Sequence, residues 1–184
     1  MIAYKGFNPG LICLGYQFHM GLNVTDEANC GHNGFHCAEN PLDCLTYYSN
    51  MEQSEYYLVD AGGDVDEDGG DSKISCTRLT ILKKLNREEF FLHALAYMMD
   101  HPGRKCSSRV MRNAGTAGKN SFVLVRGVDP VAKGGRNSIL AFAKEDPGTG
   151  KIIQVTLTCV DGKRARPNVW YDTDLKRRAV DYRD

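Results

Sequence analysis

Apolar and polar positions along the 184 residues change period several times, and each change predicts an element. Residues 2–7 and Leu11–Phe18 read as strands, separated by a turn at Asn8-Pro9-Gly10. Gly6 and Gly15 interrupt them, as glycines do at bulges or where another group comes close. A second turn at Met20-Gly21 and a loop with Cys30, His32 and Gly34 follow. Asn40, Pro41 and Asp43 then combine a cap residue, a first-turn proline and an early acid, which predicts a helix over about 40–49.

Tyr56–Val59 is strand-like, Gly62–Asp71 reads as a solvated loop, and Ile74–Leu85 resumes as strand. Asn86 with Glu89 forms a capping-box pattern ahead of Phe90, Phe91, Ala94, Leu95 and Met98, which predicts a helix over 87–100. His101-Pro102-Gly103 stops it. Beyond that point the texture is glycine-rich and basic. Gly118-Lys-Asn-Ser-Phe returns seventeen residues later as Gly135-Arg-Asn-Ser-Ile, which predicts a repeated turn-plus-strand unit in hairpins or solenoid-like coils. The Asp161-Gly162 turn is expected to join Ile152–Val160 to Val169–Tyr171 in a hairpin.

The pattern gives an α+β fold: an N-terminal antiparallel sheet with two short helices over residues 1–103, and a basic, glycine-rich β domain over 104–184. The length allows a sizeable core in one domain or two small ones. Neither a membrane-length apolar run nor a secretory signal is visible, so a cytoplasmic location, in a bacterial host cell, is expected. Seven cysteines without a signal read mostly as buried thiols.

Charge changes the picture more than composition does. Residues 1–72 hold one basic residue, Lys5, against 12 acidic ones, whereas residues 73–184 hold 22 basic and 11 acidic. Such asymmetry bears on partners and association, whether an external charged partner or a head-to-tail homo-oligomer. The basic candidates for binding are Arg104, Lys105, Arg109, Arg112, Lys119, Arg126, Lys133 and Arg136, a set suited to phosphate backbones. The acidic candidates are Asp64, Asp66, Glu67, Asp68 and Asp71. They suit a phosphate mimic better than a calcium loop, because Ser75 stands where the twelfth-position glutamate is required.

Cys30, His32, His36, Cys37 and Cys44 include thiolate and imidazole donors, but no Cys-x2-Cys pair sets them out for zinc. Cys37 beside His36 lacks an identifiable base and oxyanion hole. No catalytic residue, metal or cofactor is assigned.

Tyr4-Lys-Gly-Phe, the block from Gly34 to Tyr48 (GFHCAENPLDCLTYY), Asp71–Cys76, Val160-Asp-Gly-Lys and Trp170-Tyr171 together resemble an uncharacterised family of phage and prophage proteins of gut bacteria. The resemblance implies a phage setting and no known reaction. Tyr4-Lys-Gly followed by Gly34-Phe-His also resembles the opening of the ADP-ribosyltransferase superfamily. There a strand histidine or arginine holds the dinucleotide and a glutamate orients the ribose. This sequence departs from that pattern with lysine at position 5, and Glu88 and Glu89 read as helix-capping residues rather than as a later strand glutamate.

The function expected from setting and charge is a non-enzymatic phage inhibitor that binds a host protein or ribonucleoprotein, most concretely an RNA-guided nuclease of the Cas9 type. The alternatives are an ADP-ribosyltransferase-like modifying enzyme and a phage structural or assembly protein.

Overall fold

The computed structural model describes residues 1–67, 69–104 and 107–179. Strands carry most of the regular structure, and the chain divides into two compact units, Met1–Phe90 and Phe91–Asp184. The sequence pattern placed its boundary after the second helix, at 103/104; the division falls inside that helix.

The first unit is an antiparallel sheet of β1 (Ile2–Phe7), β4 (Gly21–Val24), β5 (Phe35–Ala38), β6 (Glu55–Glu67) and β7 (Lys73–Leu85). A small hairpin of β2 (Ile12–Cys13) and β3 (Tyr16–Gln17) is separate from it. β6 pairs with both β1 and β7, β7 with β5, and β5 with β1, so the ladder closes on itself. β5 and β4 follow one another along β7. Ala3, Phe7, Val59, Ile74, Leu79 and Ile81 fill the interior, with Phe7 edge-on to Phe18 and Tyr57. Closure leaves few bare edges, which suits a sheet of this size.

Several expectations change here. Leu11–Phe18 is not one strand, because Leu14 and Gly15 turn the chain. β4 and β5 lie where turns and a loop were expected. The first helix shrinks to a 3-10 turn, Pro41–Asp43, and one α-helical turn, α1 (Cys44–Tyr47); Asn40 caps it by accepting from the Leu42 amide at 3.1 Å. The acidic stretch is strand as far as Glu67, paired to β7 across a bulge after Gly62. Pairing with β7 supplies the backbone partners that composition alone does not suggest.

The second helix, α2 (Arg87–Asp100), forms where the periodicity predicts it. Its capping box is complete: the Glu89 amide donates to Asn86 Oδ1 at 2.9 Å, and the Asn86 amide to Glu89 Oε2 at 3.0 Å. Such a box satisfies two otherwise orphaned donors.

The second unit contains β8 (Val110–Ala117), β9 (Phe122–Gly134), β10 (Ile139–Glu145), β11 (Ile152–Cys159), β12 (Trp170–Tyr171) and β13 (Arg177–Arg178). Its sheet is mixed. β9 pairs in parallel with β10, Phe122 opposite Ile139, and with β8, Ala114 opposite Val131. The β9–β10 offset is seventeen throughout, and the β8–β9 offset changes from fourteen to seventeen at a shift between Arg112 and Ala114, so the repeat of the sequence stacks coil on coil. Asn120 and Asn137 take equivalent left-handed corners, with φ of 56° and 60°. β12 pairs with β9 and β13 rather than with β11, so Asp161-Gly162 does not close a hairpin. Asp161 instead accepts from the amides of Lys163 and Arg164, the local turn that a short carboxylate favours.

Candidate functional site

β1 and β5 share a single register pair, Tyr4 with Ala38. Beyond it the strands part, and a cavity of about 930 Å³ opens within the first unit. Tyr4, Lys5 and Gly6 of β1 line it, as do Gly34–Ala38, Cys44, Tyr47 and Tyr48. The β2–β3 hairpin contributes Cys13, Leu14, Gly15 and Tyr16. These are largely the residues of the Tyr4-Lys-Gly and Gly34–Tyr48 blocks.

Lys5, the lone cation of the first 72 residues, lies in this cavity with only 4% of its surface exposed. Its Nζ donates to the His36 carbonyl at 2.5 Å and lies 3.6 Å from Cys13 Sγ. The rings of Phe7 and Phe18 face it at 5.3 and 5.2 Å. Among the described residues no carboxylate forms an ion pair with it. A buried ammonium costs several kcal/mol unless it is matched, and one carbonyl with two ring faces offsets only part of that.

Two close approaches shape the walls. Gly6 admits the Tyr48 ring: a Cβ there would sit 2.5 Å from Tyr48 Cδ2. Gly34 has φ +84°, and a Cβ would lie 2.3 Å from Ser75 Oγ and 2.9 Å from the Ala28 backbone. Only glycine meets both demands at position 34.

Four thiols, Cys13, Cys37, Cys44 and Cys76, lie within electrostatic reach of the cation. Cys37, Cys44 and Cys76 are buried, while Cys13, Cys30 and Cys159 are partly exposed; Cys106 lies outside the described residues. Burial pushes the Cys44 thiol up to about 12, with the charge of Lys5 acting against it. Cys37 is raised, first by its hydrogen bond with Cys76 and then by burial, and the same hydrogen bond lowers Cys76. Burial raises Tyr48, helped by its hydrogen bond with Cys13. At Cys37 and Cys44 these shifts favour the neutral thiol. Asp43, the carboxylate that lines the cavity, accepts from Ser72 Oγ at 2.6 Å. No glutamate is among the described lining residues, and no three His, Cys, Asp or Glu side chains among the described residues gather as a metal site.

The basic candidates scatter. Arg126 is buried and bound to Glu145 Oε1 at 2.5 Å, while Arg112 forks onto the same carboxylate with two bonds of 2.9 Å. Lys133 lies 5.0 Å over the Trp170 ring, and Arg104 donates to the Tyr97 hydroxyl at 2.7 Å. Arg109, Lys119 and Arg136 are exposed, the last two at successive coil corners joined by the Asn120 amide donating to the Arg136 carbonyl. Lys105 lies outside the described residues. Of the acidic candidates, Asp64, Asp66 and Glu67 are exposed on β6, with Asp66 accepting from the Cys30 amide at 2.7 Å. Asp71 accepts from the Lys73 amide at 2.7 Å. Asp68 lies outside the described residues.

Sequence reasoning did not assign the cavity or Lys5 as a site. The available signal was a single lysine amid Ala3, Tyr4 and Phe7 in a strand, within a long acidic segment.

The family model described as a domain of unknown function (DUF7666) matches residues 1–93, the part of the chain that holds the cavity. No curated protein and no solved structure matches the chain. Among the described residues no helix is long and apolar enough to cross a membrane.

Proposed function

The chain belongs to the DUF7666 family, and we propose that its family domain is a non-catalytic binding module that takes an anionic, ring-bearing ligand of the nucleotide class over Lys5. The observation that carries this reading is the buried Lys5 cation, which lines a cavity and has no carboxylate partner among the described residues. An anion completes its electrostatics, and charge-assisted hydrogen bonds of this kind are the strong ones. Tyr16, Phe35, Tyr47 and Tyr48 offer aromatic surface for a planar ring. Asp43, the lining carboxylate, accepts a hydrogen bond from Ser72, and no glutamate is among the described lining residues to orient a ribose as the ADP-ribosyltransferase likeness implies.

Calorimetric titration of the full chain with AMP tests this. The expected result is one-site binding that weakens about tenfold or more in Lys5→Gln. Absence of binding to the wild type at millimolar AMP, or equal affinity in Lys5→Gln, overturns it.

A second reading rests on Asp64, Asp66 and Glu67, exposed along the end of β6. In the phage setting that the sequence resemblance implies, this acidic strand docks on the positive nucleic-acid channel of a host RNA-guided nuclease and inhibits it. Capture of a guide-loaded nuclease by the tagged wild type, lost in the Asp64→Asn, Asp66→Asn, Glu67→Gln triple variant, is the expected result. Equal capture by both proteins rejects it.

A further inference from the structure

The hairpin that lines the cavity carries an unsuited residue at its tip. β2 and β3 pair Ile12 with Gln17 and Cys13 with Tyr16, so Leu14 and Gly15 alone make the turn. Both have positive φ, 49° and 79°. Two-residue turns of this type match the twist of the strands and strongly favour Asn or Gly at the first position. Leucine is disfavoured there, because its Cβ crowds the following carbonyl in the left-handed region.

Leu14 is also 96% exposed, so its side chain gains nothing from burial. Leu11 and Leu175 also take positive φ, 61° and 59°, but both are half-buried; at Leu14 the strain coincides with near-complete exposure, and the rest of the hairpin holds it in place. Leu11 and Cys13 pack against the core. Gln17 Nε2 donates to the Gly10 and Phe18 carbonyls, both at 2.8 Å. Tyr16 sets its ring edge-on to Phe18, centroids 4.6 Å apart, and against Phe35 at 5.3 Å. Strain that the surroundings over-determine points to a use elsewhere in the molecule's working cycle. Leu14, Gly15 and Tyr16 line the same cavity as Lys5.

We propose that Leu14 is a specificity-determining residue: the β2–β3 hairpin clasps the ring-bearing end of the ligand whose anionic end Lys5 holds. The leucine side chain then passes from solvent onto the ring face, beside Tyr16. This inference rests on the anion-binding reading of the cavity and goes beyond it, because it divides recognition between two residues that can be removed separately.

Titration of the full chain with AMP and with inorganic pyrophosphate separates the two contacts. Leu14→Asn suits the turn, so it is expected to raise the thermal midpoint by a few degrees. The same variant loses about tenfold in AMP affinity, the scale of one buried leucine side chain, and binds pyrophosphate as the wild type does. Leu14→Ala, which keeps the left-handed strain, is expected to weaken AMP equally without raising the midpoint. AMP binding that depends on Lys5 but is unchanged in Leu14→Asn overturns the clasp and leaves the cavity reading intact. Equal losses for AMP and pyrophosphate also overturn it, since the turn would then serve the anion. Failure of the wild type to bind either probe removes both readings together.

Discussion

Lys5 and Arg126 are buried to almost the same degree, 4% and 5% exposed, yet their surroundings are opposite. Arg126 is closed by its own unit: Glu145 at 2.5 Å, and the carbonyls of Pro102 at 2.9 Å and Gly150 at 3.3 Å. Lys5 meets a carbonyl, a thiol and two rings, beside a cavity. A buried cation with a bidentate network around its carboxylate is architecture; one without a carboxylate, facing a cavity, leaves a place for an anion. Burial alone therefore does not tell the two cations apart, whereas the inventory of partners does.

The comparison breaks most visibly at Glu145. Glu145→Gln leaves Arg126 buried without its countercharge, and a loss of about 3–5 kcal/mol is expected in denaturant unfolding. An effect near zero would mean that the network is dispensable. On the other side, Gly34→Ala forces a Cβ into the Ser75 hydroxyl and the Ala28 backbone at positive φ. Its expected cost is about 2–3 kcal/mol, with AMP binding lost as the cavity wall shifts. A variant as stable as the wild type would show that the wall is not fixed there.

Acid gives a graded version of the Glu145 test. Arg112, and after it burial and Arg126, set the Glu145 carboxyl, with the arginines holding it below the ordinary range. A lowered value in the folded state means that this contribution is fully present above about pH 4.3, the ordinary glutamate value. It is lost as pH falls from there through the lowered value. The slope of unfolding free energy against pH below 4.3 should therefore be smaller in Glu145→Gln than in the wild type. Parallel slopes would contradict the assignment. The smallest effect on stability is expected from Lys5→Met, within about 1 kcal/mol of the wild type or more stable, because an apolar residue replaces an incompletely matched buried charge. A large loss would make Lys5 another Arg126.

How much of this the sequence made legible depends on range. The α2 capping box needs only residues three apart, and Asn86 with Glu89 forms as the pattern predicts. The seventeen-residue echo between Gly118 and Gly135 also translates directly, since identical turns stack. Long-range pairing was illegible. Asp64, Asp66 and Glu67 have the composition of a loop; β7 holds them through ladder pairing of Asp66 and Glu67 and through the Thr77 hydroxyl, which accepts from the Asp64 amide. Arg126 looked like one more surface cation, because nothing local points to Glu145 nineteen residues on. Lys5 was visible as the lone cation of an acidic segment, but its burial depends on β5 and the hairpin closing around it.

The most direct test follows the Lys5 side chain itself. In protein with isotope-labelled lysine, its signal is assigned by loss in Lys5→Arg and then followed during titration with AMP. The account predicts a saturable shift of the Lys5 signal, larger than that of the exposed Lys119. A Lys5 signal that stays in place while AMP binds, or shifts no more than Lys119, would contradict it.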